Sequence, residues 1–286
     1  VPTYTQRKLE AFSLHARNGD QLVDYDFVFD FLASLQPQQR QRTVGERFTA
    51  IPVLRKDGPI VVLHAYSGDV KRNPLIFDAQ RIAERTETLA PGEVLVEKTH
   101  GCIDVGKRTA IIEYVQRGAK AAQIAHALEV FGRANATLPS LMIEFTPIPD
   151  EEFVPSIERF SRITAAGMVL ARPNVDWTES YNFASSLAAD SEARTIEIAG
   201  HAAVRRSLAK DRGIVRLIKD LAREPLSVFR KAWIKGVRRG ERGFTTLNLE
   251  NRIEHQKVSV RKSEQGHVED GDVEQKMLEY LDSREG

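Results

Sequence analysis

The sequence predicts an α+β fold: a mixed, largely antiparallel sheet with flanking helices, plus a basic helical segment. Three observations lead there. Residues 48–55 and 60–66 are β-rich runs joined across Lys56-Asp57-Gly58-Pro59, a composition that favours a hairpin. Residues 119–131 carry apolar side chains at helical spacing, with Ile124, Leu128 and Phe131 on one face. Such strands and helices mix irregularly and repeat at no fixed period, which argues against strict strand–helix–strand alternation and a parallel sheet. At 286 residues, with 42% hydrophobic and 28% charged side chains, the composition is that of an ordinary globular protein. The chain is expected to divide into an α+β domain over 1–150 and a second α+β part over 151–286. The second part carries basic helices within 203–242 and an acidic C-terminal tail.

The elements follow in order. Residues 9–16 read as a strand, ended by the turn Asn18-Gly19-Asp20. A helix over 25–35 starts behind an aspartate and stops at Pro37, and 36–42 is a polar loop. After the hairpin, 77–88 read as helix, 93–98 and 108–115 as strands, and 119–131 as the helix already noted. Strands over 141–146 and 166–171 flank a helix over 151–160. A further helix over 177–187 follows the cap Asp176, and 194–199 returns to strand. Residues 244–251 and 255–261 are extended, and 273–281 form a terminal helix.

Charge is unevenly placed along this order. From Ala203 to Arg242 there are thirteen Lys or Arg and four acidic residues, a net of +9 in a chain of net +1. A near-neutral protein that gathers such a patch holds it against self-repulsion, and nucleic acid is its commonest partner. At about 100° per residue on a helix, Arg205, Arg212, Arg216, Lys219 and Arg223 form one stripe. Val204, Ile214, Val215, Leu217, Ile218 and Leu221 take most of the opposite side. Pro225 suits the first turn of a second helix. There Leu226, Phe229, Trp233 and Val237 make an apolar stripe, with Lys231, Lys235, Arg238 and Arg239 facing away, until Gly240 and Gly243 end the run. The expected nucleic-acid-binding residues are Arg205, Arg206, Lys210, Arg212, Arg216, Lys219, Arg223, Lys231, Lys235, Arg238, Arg239 and Arg242. Few aromatics interleave them, so the expected partner is double-stranded DNA held by its phosphates, rather than single strands held by stacking. Residues 264–286 hold eight acidic and two basic side chains, a tail able to fold back on the basic helices and compete for them.

Catalytic motifs are incomplete. Gly101-Cys102-Ile103-Asp104-Val105-Gly106-Lys107 matches half of a phosphate-binding loop, but Arg108 stands where a magnesium-ligating Ser or Thr belongs, and a strand follows instead of a helix. Asp24, Asp26 and Asp30 lie among helix-forming apolar residues and read as a solvated helix start. The seven histidines form no HxxxH or HExxH pair, so no local metal site and no cofactor are expected. Cys102 is the single cysteine, which excludes a disulfide framework and any CxxC site. Glu197 and His201 bracket what reads as a turn. The first residues hold no apolar signal-peptide core and no run approaches the ~20 residues of a membrane span, so a cytoplasmic protein is expected.

The order of elements resembles the RexA family of phage-exclusion proteins. The likeness rests on the hairpin over 48–66, the strand-rich stretch 93–115 leading into a helix, and Leu141-Met142-Ile143-Glu144-Phe145 followed by a short helix and Met168-Val169-Leu170-Ala171. It continues through a basic region, two extended segments and an acidic terminal helix. Residues close to the family pattern include Ile143-Glu144, Arg162-Ile163-Thr164 and Gly266-His267. The resemblance implies a dimeric, cytoplasmic, DNA-binding protein without enzymatic activity that signals to a membrane partner in anti-phage defence. The DNA-binding subunit of a Kiwa-type defence pair is a related reading. It transfers no individual contact residue. The expectation is thus a non-enzymatic, largely sequence-independent DNA-binding homodimer. A metal-dependent nuclease, or a module that binds an acidic protein partner, stays open.

Overall fold

A computed structural model of the chain describes residues 3–19, 21–71, 73–78, 83–171 and 195–284. It opens with β1 (Thr3–Asn18), the two-residue β2 (Gln21–Leu22), helix α1 (Tyr25–Ser34), β3 (Gln41–Val44), β4 (Arg47–Asp57) and β5 (Ile60–Asp69). A small hairpin, β6 (Leu75–Asp78) with β7 (Ala83–Thr86), precedes β8 (Val96–Asp104), β9 (Thr109–Glu113), α2 (Ala121–Gly132) and β10 (Leu141–Pro147). Then come α3 (Phe153–Glu158), β11 (Phe160–Ala171), β12 (Thr195–His201), α4 (Gly213–Leu221), β13 (Phe229–Arg238), β14 (Phe244–Asn248), β15 (His255–Lys262) and α5 (Asp270–Ser283). The expected α+β class holds, and every strand pairing among the described residues is antiparallel.

The larger sheet has nine strands and is organised by β1. At sixteen residues, β1 is long enough to take different partners in series: its first half pairs with β15, its second half with β10, and its middle with β9. Alternation sends Leu9 and Ala11 to one side and Phe12, Leu14 and Ala16 to the other, and both sides are buried. On one side lie α1 and α2. Asp24 caps α1 by accepting from the Asp26 amide at 2.9 Å, and Val28, Phe29 and Leu32 point inward. On the other side lies α5, which buries Val273, Met277, Tyr280 and Leu281. Each fully buried apolar side chain of this size contributes about 1.5–3 kcal/mol.

The second sheet runs β12-β11-β13-β14. One face is covered: Val215, Ile218 and Leu221 of α4 and Phe153 and Ile157 of α3 close over Met168, Leu170, Phe229 and Ile234. A buried polar joint ties this sheet to the first at Ser227, just before β13. The Ser227 amide donates to Ser13 Oγ at 2.8 Å, and its carbonyl accepts from His15 Nε2 at 2.8 Å and from Thr146 Oγ1 at 2.5 Å. Burial pushes the His15 imidazole down to about 4, against the Ser227 hydrogen bond, so the ring is neutral at pH 7.

Three expectations need correction. The described residues of the span 77–88 are not helical; Leu75 pairs with Thr86 and Asp78 with Ala83, because too few apolar residues share one helical face to dock a helix. The basic stretch holds one helix, not two, since Phe229–Arg238 is a strand. The C-terminal residues do not complete the second part: β15 pairs with β1, and α5 packs on the first sheet. Their acidic groups therefore meet Arg55, His64, Lys98 and His100 rather than the basic segment. The expected helix at 177–187 lies outside the described residues. No helix among the described residues is long and apolar enough to cross a membrane.

Candidate nucleic-acid interface

The Lys/Arg-rich stretch divides into regions of different geometry, and strand β13 is the decisive one. Phe229, Trp233 and Val237 satisfy a helical spacing, but Ala232, Ile234 and Gly236 also alternate with Trp233, Lys235 and Val237 as a strand requires. Two partners decide the matter. β13 pairs along most of β11 on one edge and with β14 on the other. Gly236 permits the contact, because a Cβ there would lie 2.1 Å from the Arg162 carbonyl oxygen.

Strand geometry reverses the reading of Trp233. It is not a core residue of a helix; it stands, half-buried, on the face of the second sheet that no described element covers, opposite Gly167 and Asn248. Its indole lies across Gly167, where a Cβ would come within 2.6 Å of the ring. Lys235 sits beside it, paired with Ala165 and Thr246, and Lys231 lies on its other side, opposite Val169. Near the end of the sheet, the Arg162 guanidinium stacks over the Phe244 ring at 5.6 Å, and Phe244 is 60% exposed. Thr164, Ala165, His201, Trp233, Lys235 and Phe244 line a shallow depression of about 410 Å³. Among the described residues, no carboxylate pairs with Lys231, Lys235 or Arg162. The Nε of Arg162 is buried without a described hydrogen-bond partner. Among the described residues, Glu197 of β12 is the carboxylate on this face, opposite Val169 and one strand removed from Lys231.

The helical stripe is different. Lys219 donates to Glu158 at 2.7 Å, and Lys210 lies 3.9 Å from the same carboxylate. Lys219's hydrogen bond holds the Glu158 carboxyl below the usual range. Asp220 takes Arg216 at 3.2 Å and Arg223 at 3.5 Å. Four expected phosphate-binding cations are thus occupied by two carboxylates. Arg205 and Arg212 do not continue the stripe. Gly213 at φ +61° starts the helix from a left-handed conformation, Arg205 itself has φ +61°, and the chain before Gly213 is irregular.

The other expected residues scatter around the sheet. Arg239 and Arg242 are exposed in the turn joining β13 to β14. Arg205 and Arg206 are exposed on the segment leaving β12, which runs beside β11 through Ala202 N to Thr164 O and Leu208 N to Ile163 O. Antiparallel order brings that segment, the β13–β14 turn and Arg162 to the same end of the sheet. Arg238 points the other way, its guanidinium 5.6 Å from the buried Phe160 ring. Arg162, Thr164, His201, Trp233 and Phe244 were not predicted as contact residues; a period-2 reading of 229–238 finds Trp233, whereas Phe244 and Arg162 need the sheet order.

The remaining motifs are structural. Gly101–Asp104 end β8 and Thr109 starts β9, so the half phosphate loop is a turn between strands, with Arg108 at φ +53°. Asp26 and Asp30 both pair with Lys56, at 2.9 and 3.0 Å. Cys102 is buried, and desolvation with the charge of Asp104 pushes its thiol up to about 12, which leaves it inert as a nucleophile. His201 ends a strand rather than lying in a turn, and is exposed. No family model matches this sequence, and no curated protein matches it.

Proposed function

We propose that this chain is a non-enzymatic nucleic-acid-binding protein whose contact surface is the open face of β12-β11-β13-β14. One observation carries the reading: Trp233 lies half-buried on a glycine, on a face that no described element covers, flanked by exposed lysines that no described carboxylate neutralises. An aromatic platform with cations beside it holds stacked bases and their phosphates together, and each stacked base is worth about 1–3 kcal/mol. Trp233 and the Arg162–Phe244 pair favour a single strand, because duplex bases offer no free face to an indole. Exposed Arg205, Arg206, Arg239 and Arg242 at one end of the sheet extend the path for a backbone. The likeness in element order to phage-exclusion proteins supports a role in anti-phage defence, with DNA as the proposed polymer and a homodimer as the proposed acting form.

Fluorescence anisotropy of a labelled 12-mer tests this, as single strand and as duplex, across a salt series. Four or five neutralised phosphates on a single strand predict a log–log salt slope of about −3. Binding indifferent to salt and to Trp233→Ala would remove the reading. The same titration with magnesium present should leave the oligonucleotide intact.

A further inference from the structure

Beneath the terminal helix, the first sheet carries an ionisable cluster unconnected with the basic face. His64 and His100 are direct partners in the β5–β8 register, so both side chains leave the sheet on one side. Their rings meet edge to face, 4.8 Å between centroids, and both are buried. Helix α5 docks over them, bringing Asp270 and, one turn later, Glu274. Asp270 Oδ1 lies 2.9 Å from His100 Nε2, and Oδ2 lies 3.7 Å from His64 Nδ1.

We propose that His64, His100 and Asp270 bind one divalent transition-metal ion, zinc by preference, which clips α5 to the first sheet. Their ligand atoms lie within 4.8 Å of one another. Zinc–ligand bonds of ~2.0–2.1 Å in a tetrahedron set ligand atoms about 3.3 Å apart, so closing the site brings the widest pair together by about 1.5 Å, shared between side chains. Two nitrogens and an oxygen suit zinc better than magnesium or calcium, which prefer all-oxygen shells.

The outer partners point the same way. The far nitrogen of each imidazole is held by a carboxylate: His100 Nδ1 by Glu113 at 2.6 Å, and His64 Nε2 by Glu274 at 2.8 Å. Each ring is thereby turned so that its other nitrogen faces Asp270. Metal-binding histidines take this arrangement, with a carboxylate on the non-ligating nitrogen fixing tautomer and direction. The outer carboxylates are anchored in turn, Glu113 by Arg7 at 3.3 Å and Glu274 by Arg55. Glu113 is only 2% exposed, an expensive place for a carboxylate that merely decorates the surface.

Lys98 opposes the site and must be met. Its ammonium lies 2.5 Å from Asp270 Oδ1, so an incoming cation displaces it. Asp270 is 39% exposed, which gives the metal an entry path, leaves a coordination position for water, and lets Lys98 swing into solvent. Binding also releases the proton that His100 Nε2 shares with Asp270. Sequence spacing hides the set, because the ligands come from two neighbouring strands and a helix 170 residues beyond His100.

The full-length chain, stripped with chelator and dialysed, is titrated with Co²⁺ and then Zn²⁺. One equivalent of Co²⁺ should give visible d–d absorption that Zn²⁺ displaces, and Zn²⁺ should raise Tm. His64→Gln and His100→Gln should each weaken binding at least roughly 100-fold, and Glu113→Gln by about 10–100-fold. If a histidine variant fails to fold, Lys98→Met decides, since it removes only the competing ammonium: it should tighten Co²⁺ binding several-fold. A folded wild-type chain without stoichiometric Co²⁺ absorption overturns the proposal. So does binding unchanged in folded His100→Gln, or Lys98→Met affinity equal to wild type.

Discussion

Helix α4 and strand β13 come from one forty-residue basic stretch and end in opposite electrostatic states. On α4, Arg216 and Lys219 are held by Asp220 and Glu158, so their side chains are already committed. On β13, Lys231 and Lys235 have no described carboxylate partner and flank an aromatic ring. Both regions count alike in a charge tally. A cation already in an ion pair must give up that pair to meet a phosphate, and its gain is lowered by the worth of the pair; a free cation gives up only water and counterions. Positive charge marks a binding surface where the fold leaves it unpaired.

The sharpest way to break this contrast is charge reversal. Changing Lys231, Lys235 and Arg162 together to glutamate should weaken single-strand binding by roughly 100-fold or more at moderate salt. Reversing Arg216 and Arg223 should change it only about threefold. Anisotropy of the two triple- and double-variants under the same buffer compares them.

The next effect concerns what fixes β13 in place. His15 is neutral when folded and ordinary when unfolded, so the unfolded chain binds the extra proton between pH 6.5 and about 4. The stability contributed by the neutral ring is complete above pH 6.5 and falls progressively as pH drops toward 4. The total loss is roughly 3 kcal/mol. His15→Gln should flatten that part of the slope, read as the difference in urea midpoint between pH 7 and pH 4.5 for the two proteins.

Trp233→Ala should follow, with a loss of about 1–3 kcal/mol for single strands and little change for duplex. Gly167→Ala tests the same platform without touching its charge. The added methyl displaces the indole, so binding should fall several-fold while the salt slope stays the same. The smallest effect falls on the helix: Lys219→Ala should lower stability by no more than about 1 kcal/mol, because Glu158 is half exposed.

Much of the fold was legible. The hairpin of β4 and β5, helix α2 and the terminal helix carry strong local signals, and each forms within a few residues of its expected place. The failures share one physical origin. Residues 229–238 fit both a helical and a strand period, and only the edge of β11, distant in sequence, selects between them. Residues 77–88 have helix-forming composition without a face broad enough to dock. The destination of α5 depends on β15 pairing with the first half of β1, a contact spanning nearly the whole chain. Within the candidate interface, Lys231 and Lys235 were found by charge. A helical period sends Trp233 to the core, and Arg162 and Phe244 become neighbours only through β13.

One measurement bears on the central claim more directly than the others: the affinity of Trp233→Ala and Arg216→Ala for the same labelled single strand, side by side at one salt concentration. An open sheet face as the contact surface predicts a loss of about fivefold or more for Trp233→Ala, on the order of its stacking energy, and less than about twofold for Arg216→Ala. Equal losses, or a loss confined to Arg216→Ala, would return the binding surface to the helix and contradict the account.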